Sequence, residues 1–133
     1  MEDEGLTRII IGCAISVHRA LGPGFLESVY QNALAHELSK AGLEVHREKR
    51  IQVRYDGALV GDFFADMLIQ DSVLIENKAV QVLNRAHEVQ LVNYLVATQI
   101  ETGLLLNFGA QRLQFRRKSR VYRRREGGTE TEN

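Results

Sequence analysis

The sequence predicts an α/β (α+β) fold, in which a mixed central β-sheet is flanked by helices in the order ααβββαββ. Apolar residues recur at helical spacing over residues 6–41 and again over residues 85–99. Between them, residues 43–79 carry the alternating or continuous apolar runs that strands show. A strand meander followed by a helix that crosses to another strand gives a mixed sheet with helices packed on it.

Two helices are predicted at the start of the chain. The first covers residues 6–21, and Gly22-Pro23-Gly24 ends it because proline cannot continue a helix and glycine permits a sharp turn. The second covers about residues 25–41, and Gly42 suits the position after its last turn. The exposed apolar part of the first helix is compatible with a homo-oligomer.

Three strands are predicted next. The first ends at Tyr55, where Asp56-Gly57 is a strong hairpin signal. The returning strand covers residues 58–69, and the third covers about residues 73–79 after a short polar turn. Hairpin connections make these three strands antiparallel neighbours.

The last elements are a helix and two strands. The helix is predicted over residues 85–99, where apolar residues share one side. The continuous apolar run of residues 102–108 is typical of a strand covered on both faces. After the turn at Gly109-Ala110, a short final strand is predicted at residues 113–115.

Size and composition indicate one domain over residues 1–125, followed by a disordered polar tail at residues 126–133. The apolar fraction of 44% suits a globular protein, and no apolar run approaches the length of a membrane span. The acidic start differs from a signal peptide, and the single cysteine excludes an internal disulfide. We therefore expect a cytoplasmic protein with no membrane partner.

The net charge of zero conceals an uneven distribution. Residues 112–125 contain eight basic residues and no acid, whereas residues 1–111 contain nine basic and 14 acidic residues. A basic strip attracts the phosphates of nucleic acid through release of counterions. The alternative is a solvated edge strand whose positive charges prevent pairing with another chain. Charge alone leaves both interpretations open.

The third predicted strand changes abruptly from apolar to charged. Val73–Ile75 should be buried, and Glu76 and Lys78 follow two residues apart, on one side of the strand. Asp66, near the end of the preceding strand, lies across the hairpin from them. Charges in a mostly buried segment need partners, which a metal ion or a structural ion pair would supply.

Strand alternation predicts that Asp66 shares one face with Phe64 and Leu68, and this face would meet that of Glu76. Asp62 has the same parity and is a competing candidate, although it lies farther from the strand end. Two carboxylate ligands suit Mg²⁺ or Mn²⁺, which retain waters and accept substrate phosphate oxygens.

Three motifs carry a family resemblance. Asp66 followed by Glu76-Asn77-Lys78 resembles the PD-(D/E)XK nuclease superfamily, which implies a restriction-endonuclease-like core. Gln90-Leu-Val-Asn-Tyr94 resembles the Q-x-x-x-Y motif of its recombination-exonuclease branch. Gly24-Phe-Leu-Glu27-Ser-Val-Tyr30 resembles the signature of the GxxExxY protein family. The similarity covers roughly residues 5–118.

The resemblance implies a role for each matching acid and for the lysine. Asp66 and Glu76 would bind Mg²⁺ or Mn²⁺, and Glu27 would complete the acidic cluster. Lys78 would be the catalytic lysine. One departure is Asn77, since the middle residue of this motif is usually apolar in the family.

The same resemblance extends to the substrate. Gln90 and Tyr94 would orient the lysine or contact the substrate backbone. The implied function is metal-dependent hydrolysis of phosphodiester bonds in nucleic acid, with DNA preferred. The alternative is a catalytically silent nuclease-fold subunit for nucleic-acid binding or assembly. The basic residues expected to hold the nucleic acid are Arg116, Arg117, Lys118 and Arg120.

Overall fold

The structure, a computed structural model, describes residues 3–120 and contains three helices and five strands in the predicted order. The helices are α1 (Glu4–Leu21), α2 (Glu27–Lys40) and α3 (Arg85–Thr98). Helix α2 begins two residues later than predicted because Leu26 has an extended backbone, with φ −67° and ψ 154°. Gly24, at φ 116°, permits the turn between α1 and α2.

The strands form one mixed sheet in the order β1-β2-β3-β4-β5. Strands β3 and β4 are parallel, and the other neighbouring pairs are antiparallel. The predicted meander and crossover are therefore confirmed. The strands are β1 (Val45–Tyr55), β2 (Ala58–Ile69), β3 (Val73–Lys78), β4 (Thr102–Asn107) and β5 (Gln114–Ser119).

Helices cover both faces of the sheet. Ile75 of β3 belongs to the apolar cluster formed with α1 and α2, whereas Leu74 belongs to the cluster formed with α3. Alternation along β3 therefore places Glu76 and Lys78 on the α3 side and Asn77 on the α1–α2 side. A Cβ atom at Gly103 of β4 would lie 3.0 Å from the side chain of Leu91, so glycine allows α3 to pack closely.

Strands β1 and β2 extend beyond the rest of the sheet. Strand β2 pairs with β3 only over residues 67–69, and its earlier residues pair with β1 alone. We call residues 49–65 of this hairpin the β-arm. Glu48, where the β-arm begins, has a left-handed backbone with φ 56°.

The alternation of side chains between the two faces of β2 is interrupted at the start of the β-arm. Ala65 packs in the α3 cluster with Leu68, three residues away, whereas Phe64 is 57% exposed. The prediction that Phe64 shares a face with Leu68 is therefore wrong. The left-handed residue Glu48, which is absent from the paired register between Arg47 and Lys49, accounts for the change of face.

Strand β5 begins at Gln114 and continues to Ser119, farther than the predicted residues 113–115. The sequence of β5 lacks the apolar alternation typical of a strand, because its charged side chains form ion pairs and hydrogen bonds with neighbouring elements. The predicted tail at residues 126–133 lies outside the described residues. Within residues 3–120, each helix is too short or too polar to cross a membrane.

Candidate active site

Asp66 and Glu76 meet where β2 and β3 separate. The paired register of the two strands ends at Met67 and Ile75. Beyond it, the Asp66 N–H donates to Glu76 Oε2 at 3.0 Å, and the Asn77 N–H donates to Asp66 Oδ2 at 2.6 Å. Each carboxylate thus accepts from the backbone of the other strand, as a carbonyl does in a regular ladder. These reciprocal bonds hold the two acids beside each other.

The surroundings of both carboxylates raise their pKa values. Glu76 is only 6% exposed, and burial, followed by the charge of Asp66, raises its pKa to about 8. Burial also raises the pKa of Asp66, although the hydrogen bond from Asn77 opposes this shift. The charge of Glu27 adds to the rise for both groups. A nearby cation would lower both pKa values and ionise the pair.

Glu27 reaches the neighbourhood of this pair from α2. It is the first residue of the helix, where the helix dipole stabilises a carboxylate. Tyr30, one turn later, is fully buried and stacks on Phe108 with ring centroids 4.9 Å apart. Its hydroxyl donates to the Gly22 carbonyl and accepts from the Phe25 N–H. Tyr30 therefore fixes the turn that places Glu27.

Lys78 lies on the same face of β3 as Glu76 and is half-buried. Its charge lowers the pKa values of both Asp66 and Glu76, so it lies close enough to act on both. No salt bridge of Lys78 is formed within residues 3–120, so the structural ion pair considered from the sequence is not present there.

Asn107, which the sequence did not single out for a role, holds the chain that leaves β3. Its side chain accepts from Val80 N–H and donates to the Val80 carbonyl, both at 2.9 Å. It also accepts from Gly109 N–H and donates to Gln114. An asparagine inside a continuous apolar run is the sequence signal for such a role, because a buried amide requires partners.

Gln90 and Tyr94 come from α3 and are four residues apart, so they share one helix face. Tyr94 is 8% exposed, and burial, followed by the charges of Glu76 and Asp66, raises its pKa. Gln90 is exposed to solvent. The structure therefore brings Tyr94 near the carboxylates, with Gln90 on the solvent side.

The competing acid Asp62 has a different role. Both of its oxygens accept from the Arg50 guanidinium, at 2.9 and 2.7 Å. The ion pair is solvent-exposed. These contacts favour Asp66 over Asp62 as the acid of the site.

Asn77, the departure from the family motif, is completely buried. Neither its amide nitrogen nor its amide oxygen has a hydrogen-bond partner within the described chain. Its side chain lies on the opposite face of β3 from Glu76, so it leaves the carboxylate pair intact.

A sequence model of the PD-(D/E)XK nuclease superfamily matches residues 4–118, nearly the whole described chain. The chain belongs to the PD-(D/E)XK nuclease superfamily. The five-stranded mixed sheet with its helices agrees with the predicted restriction-endonuclease-like core. Membership of the narrower GxxExxY family stays a prediction.

A solved structure supports the fold of this superfamily member. The crystal structure of SSO0001 is similar with a TM-score of 0.58 and 20% sequence identity, over 74% of this chain and 52% of that chain. The chain thus spans about half the length of SSO0001, and at this identity the similarity concerns the fold alone. A comparison with curated proteins found no match.

The PD-(D/E)XK site contains part of a metal-binding donor set. One oxygen of Asp66 and one of Glu76 accept backbone hydrogen bonds, and the second oxygen of each accepts none from residues 3–120. Hard carboxylate oxygens beside each other fit Mg²⁺ or Mn²⁺. No group of three or more acidic, histidine or cysteine side chains in the described chain has metal-binding geometry. Binding of the metal by Glu27 as a third acid therefore stays a prediction.

The basic residues of β5 lie on both faces of the superfamily core. Arg116 and Lys118 pair with Glu88 of α3 at 3.6 and 2.6 Å, and Lys118 is 7% exposed. Arg117 donates to Thr7 of α1. The fourth predicted nucleic-acid contact, Arg120, directly follows β5 and forms an ion pair with Glu101 at 2.8 Å. These contacts give all four predicted nucleic-acid contacts a partner within the chain, and their role toward nucleic acid stays a prediction.

Proposed function

We propose that this protein is a metal-dependent nuclease that hydrolyses phosphodiester bonds of nucleic acid, with DNA the preferred substrate. The observation that carries the proposal is the reciprocal bonding of Asp66 and Glu76 at the point where β2 and β3 separate. It supports a pair of acids whose positions are fixed before a cation binds. Superfamily membership supports the same chemistry.

Each residue of the proposed site has a separate task. Asp66 and Glu76 would hold Mg²⁺ or Mn²⁺, which when bound polarises the scissile phosphate and lowers the pKa of a coordinated water. Glu27, whose charge acts on both acids, would complete the acidic cluster and assist through the metal or its bound water. Lys78, on the face of Glu76, would stabilise negative charge that develops on the phosphate.

Tyr94 and Gln90 would contact the substrate backbone from α3. Burial raises the pKa of Tyr94, and the charges of Glu76 and Asp66 add to this rise, so Tyr94 lies within reach of their charges; Gln90 is exposed on the same helix face. Their position supports a substrate that lies between β3 and α3.

The test is incubation with DNA and RNA in the presence of Mg²⁺ or Mn²⁺, with a chelator as the blank. We expect cleavage by the native protein and a loss of at least about a hundredfold for Asp66→Ala or Lys78→Ala. Asp62→Ala is the matched control, because it removes an acid of the same strand that forms an exposed ion pair. Cleavage that persists in both site variants would reject this assignment.

One observation favours a second function, that of a nucleic-acid-binding subunit that does not cleave. Within residues 3–120, no third histidine, cysteine or acidic side chain joins Asp66 and Glu76 in a metal-binding group. Nucleic-acid binding without cleavage in either metal would support this alternative.

A further inference from the structure

A groove of about 1130 Å³ lies between the β-arm and the exposed side of α3. The β-arm contributes Phe63, which is 44% exposed, and α3 contributes Val89 and Val96, which are also exposed. Tyr94 and Gln90 line the same groove. The groove therefore adjoins the candidate active site and shares two residues with it.

The lining of this groove combines aromatic, basic and amide groups. The rings of Phe63 and Tyr94 have centroids 5.7 Å apart and are tilted by 34°, so they form one aromatic surface. Each wall contributes an exposed arginine, Arg54 from the β-arm and Arg85 from α3. No acidic side chain is among the lining residues. The groove is thus locally positive, although the body of the chain carries more acids than bases.

These groups match the chemistry of an unpaired nucleotide strand. A base stacks with its flat face on an aromatic side chain, and an arginine donates hydrogen bonds to a phosphate. In a duplex the bases stack on each other, so their flat faces are not accessible to a protein ring. Exposed amides such as Asn93 provide donors and acceptors for base edges. A purely apolar partner would offer no anion to either arginine.

We propose that the groove binds single-stranded nucleic acid and delivers it to the acid pair through Tyr94, so that unpaired strands are the substrate. This inference rests on the proposed function for the cleavage step, whereas binding in the groove does not depend on it. An unpaired base would stack on Phe63, and the phosphates on either side would meet Arg54 and Arg85.

The test is fluorescence anisotropy of a labelled oligo-dT strand, measured in a chelator so that cleavage does not interfere. We expect Phe63→Ala to weaken binding by about tenfold or more, the effect typical of losing one stacked base. Phe64→Ala is the matched control, because Phe64 is an adjacent exposed ring on the opposite face of β2 and should bind like the native protein. Thermal melting of both variants verifies that each is folded.

Two further measurements complete the test. Arg54→Ala and Arg85→Ala should each weaken binding and reduce its dependence on salt, whereas Arg8→Ala on α1 should not. The same strand annealed to oligo-dA should bind more weakly than oligo-dT alone. Equal affinity for strand and duplex, native affinity in Phe63→Ala, or no oligonucleotide binding at all would each overturn the inference.

The outcomes distinguish this inference from the proposed function. If cleavage requires Asp66 but strand binding is unchanged in Phe63→Ala, the nuclease assignment holds and strand binding in the groove is rejected. Strand binding that requires Phe63, without cleavage under any condition, would retain the groove and reject the nuclease.

Discussion

Glu76 holds its proton at pH values where an exposed glutamate has lost it. Its pKa is about 8 in the folded protein, against 4.5 for an ordinary glutamate, chiefly because of burial and then because of Asp66. The folded state therefore binds a proton more tightly than the unfolded state does. Its stabilising contribution is complete below about pH 4.5 and is lost as the pH rises through about 8.

The first prediction concerns this pH dependence. In a chelator, the free energy of unfolding should fall by on the order of 2 kcal/mol between about pH 6 and pH 9. Urea denaturation at several pH values measures it. Glu76→Gln carries no titrating proton at this position, so most of the slope should disappear. An unchanged slope in this variant would show that other groups cause it.

At the scale of the secondary-structure elements, hydrophobic pattern and turn residues were sufficient for most of the fold. Helix and strand order follow from apolar spacing, and Asp56-Gly57 marks the hairpin that brings Asp66 beside Glu76. The change of face at the β-arm could not be predicted, because Glu48 is not a residue that signals a left-handed backbone.

Only the part of the site that lies on two strands joined by a hairpin could be predicted from the sequence. The proximity of Asp66 and Glu76 follows from strand order, because hairpin partners are adjacent. The contacts of Asn107 with Val80 join residues 27 positions apart, and no local pattern encodes such a pair. The ion pairs of Lys118 and Arg116 with Glu88 likewise depend on how α3 lies against β5.

The second prediction compares two fully buried asparagines on adjacent strands. Asn77→Val should stabilise the protein by about 1 to 3 kcal/mol, because it removes an amide with no partner in the described chain. Asn107→Val should destabilise it by about 2 kcal/mol or more, since three backbone groups lose their partner.

Urea denaturation measures both changes. Cleavage should survive Asn77→Val, because this side chain and Glu76 lie on opposite faces of β3. A less stable Asn77→Val protein would indicate that the amide has a partner outside residues 3–120 or in solvent.

At the scale of the whole molecule, the proposed metal binding at Asp66 and Glu76 would make stability depend on a cation. A ligand that binds only the folded state stabilises it, by about 2.7 kcal/mol at a concentration 100 times its Kd. Metal binding would also require ionised carboxylates, so it would compete with the proton on Glu76.

The third prediction follows from this competition. Mn²⁺ should raise the melting temperature by several degrees, roughly 2 to 8 °C, and by more at about pH 8.5 than at about pH 6.5. Differential scanning fluorimetry with and without Mn²⁺ measures the shift. Asp66→Asn should abolish it, whereas Asp62→Asn should not. An equal shift in all three proteins would place the metal elsewhere.

The β-arm links the groove and the acid pair through one continuous strand. Phe63 and Asp66 are three residues apart on β2, and both precede Met67, where β2 begins to pair with β3. If a cation at Asp66 favours one position of the β-arm, the affinity of Phe63 for an oligonucleotide depends on the same equilibrium between arm positions. Thermodynamic reciprocity then requires that metal tighten strand binding by the same factor as strand tightens metal binding. The strand is titrated without metal and then with saturating metal, and the metal is titrated without strand and then with saturating strand. The two ratios of Kd should be equal.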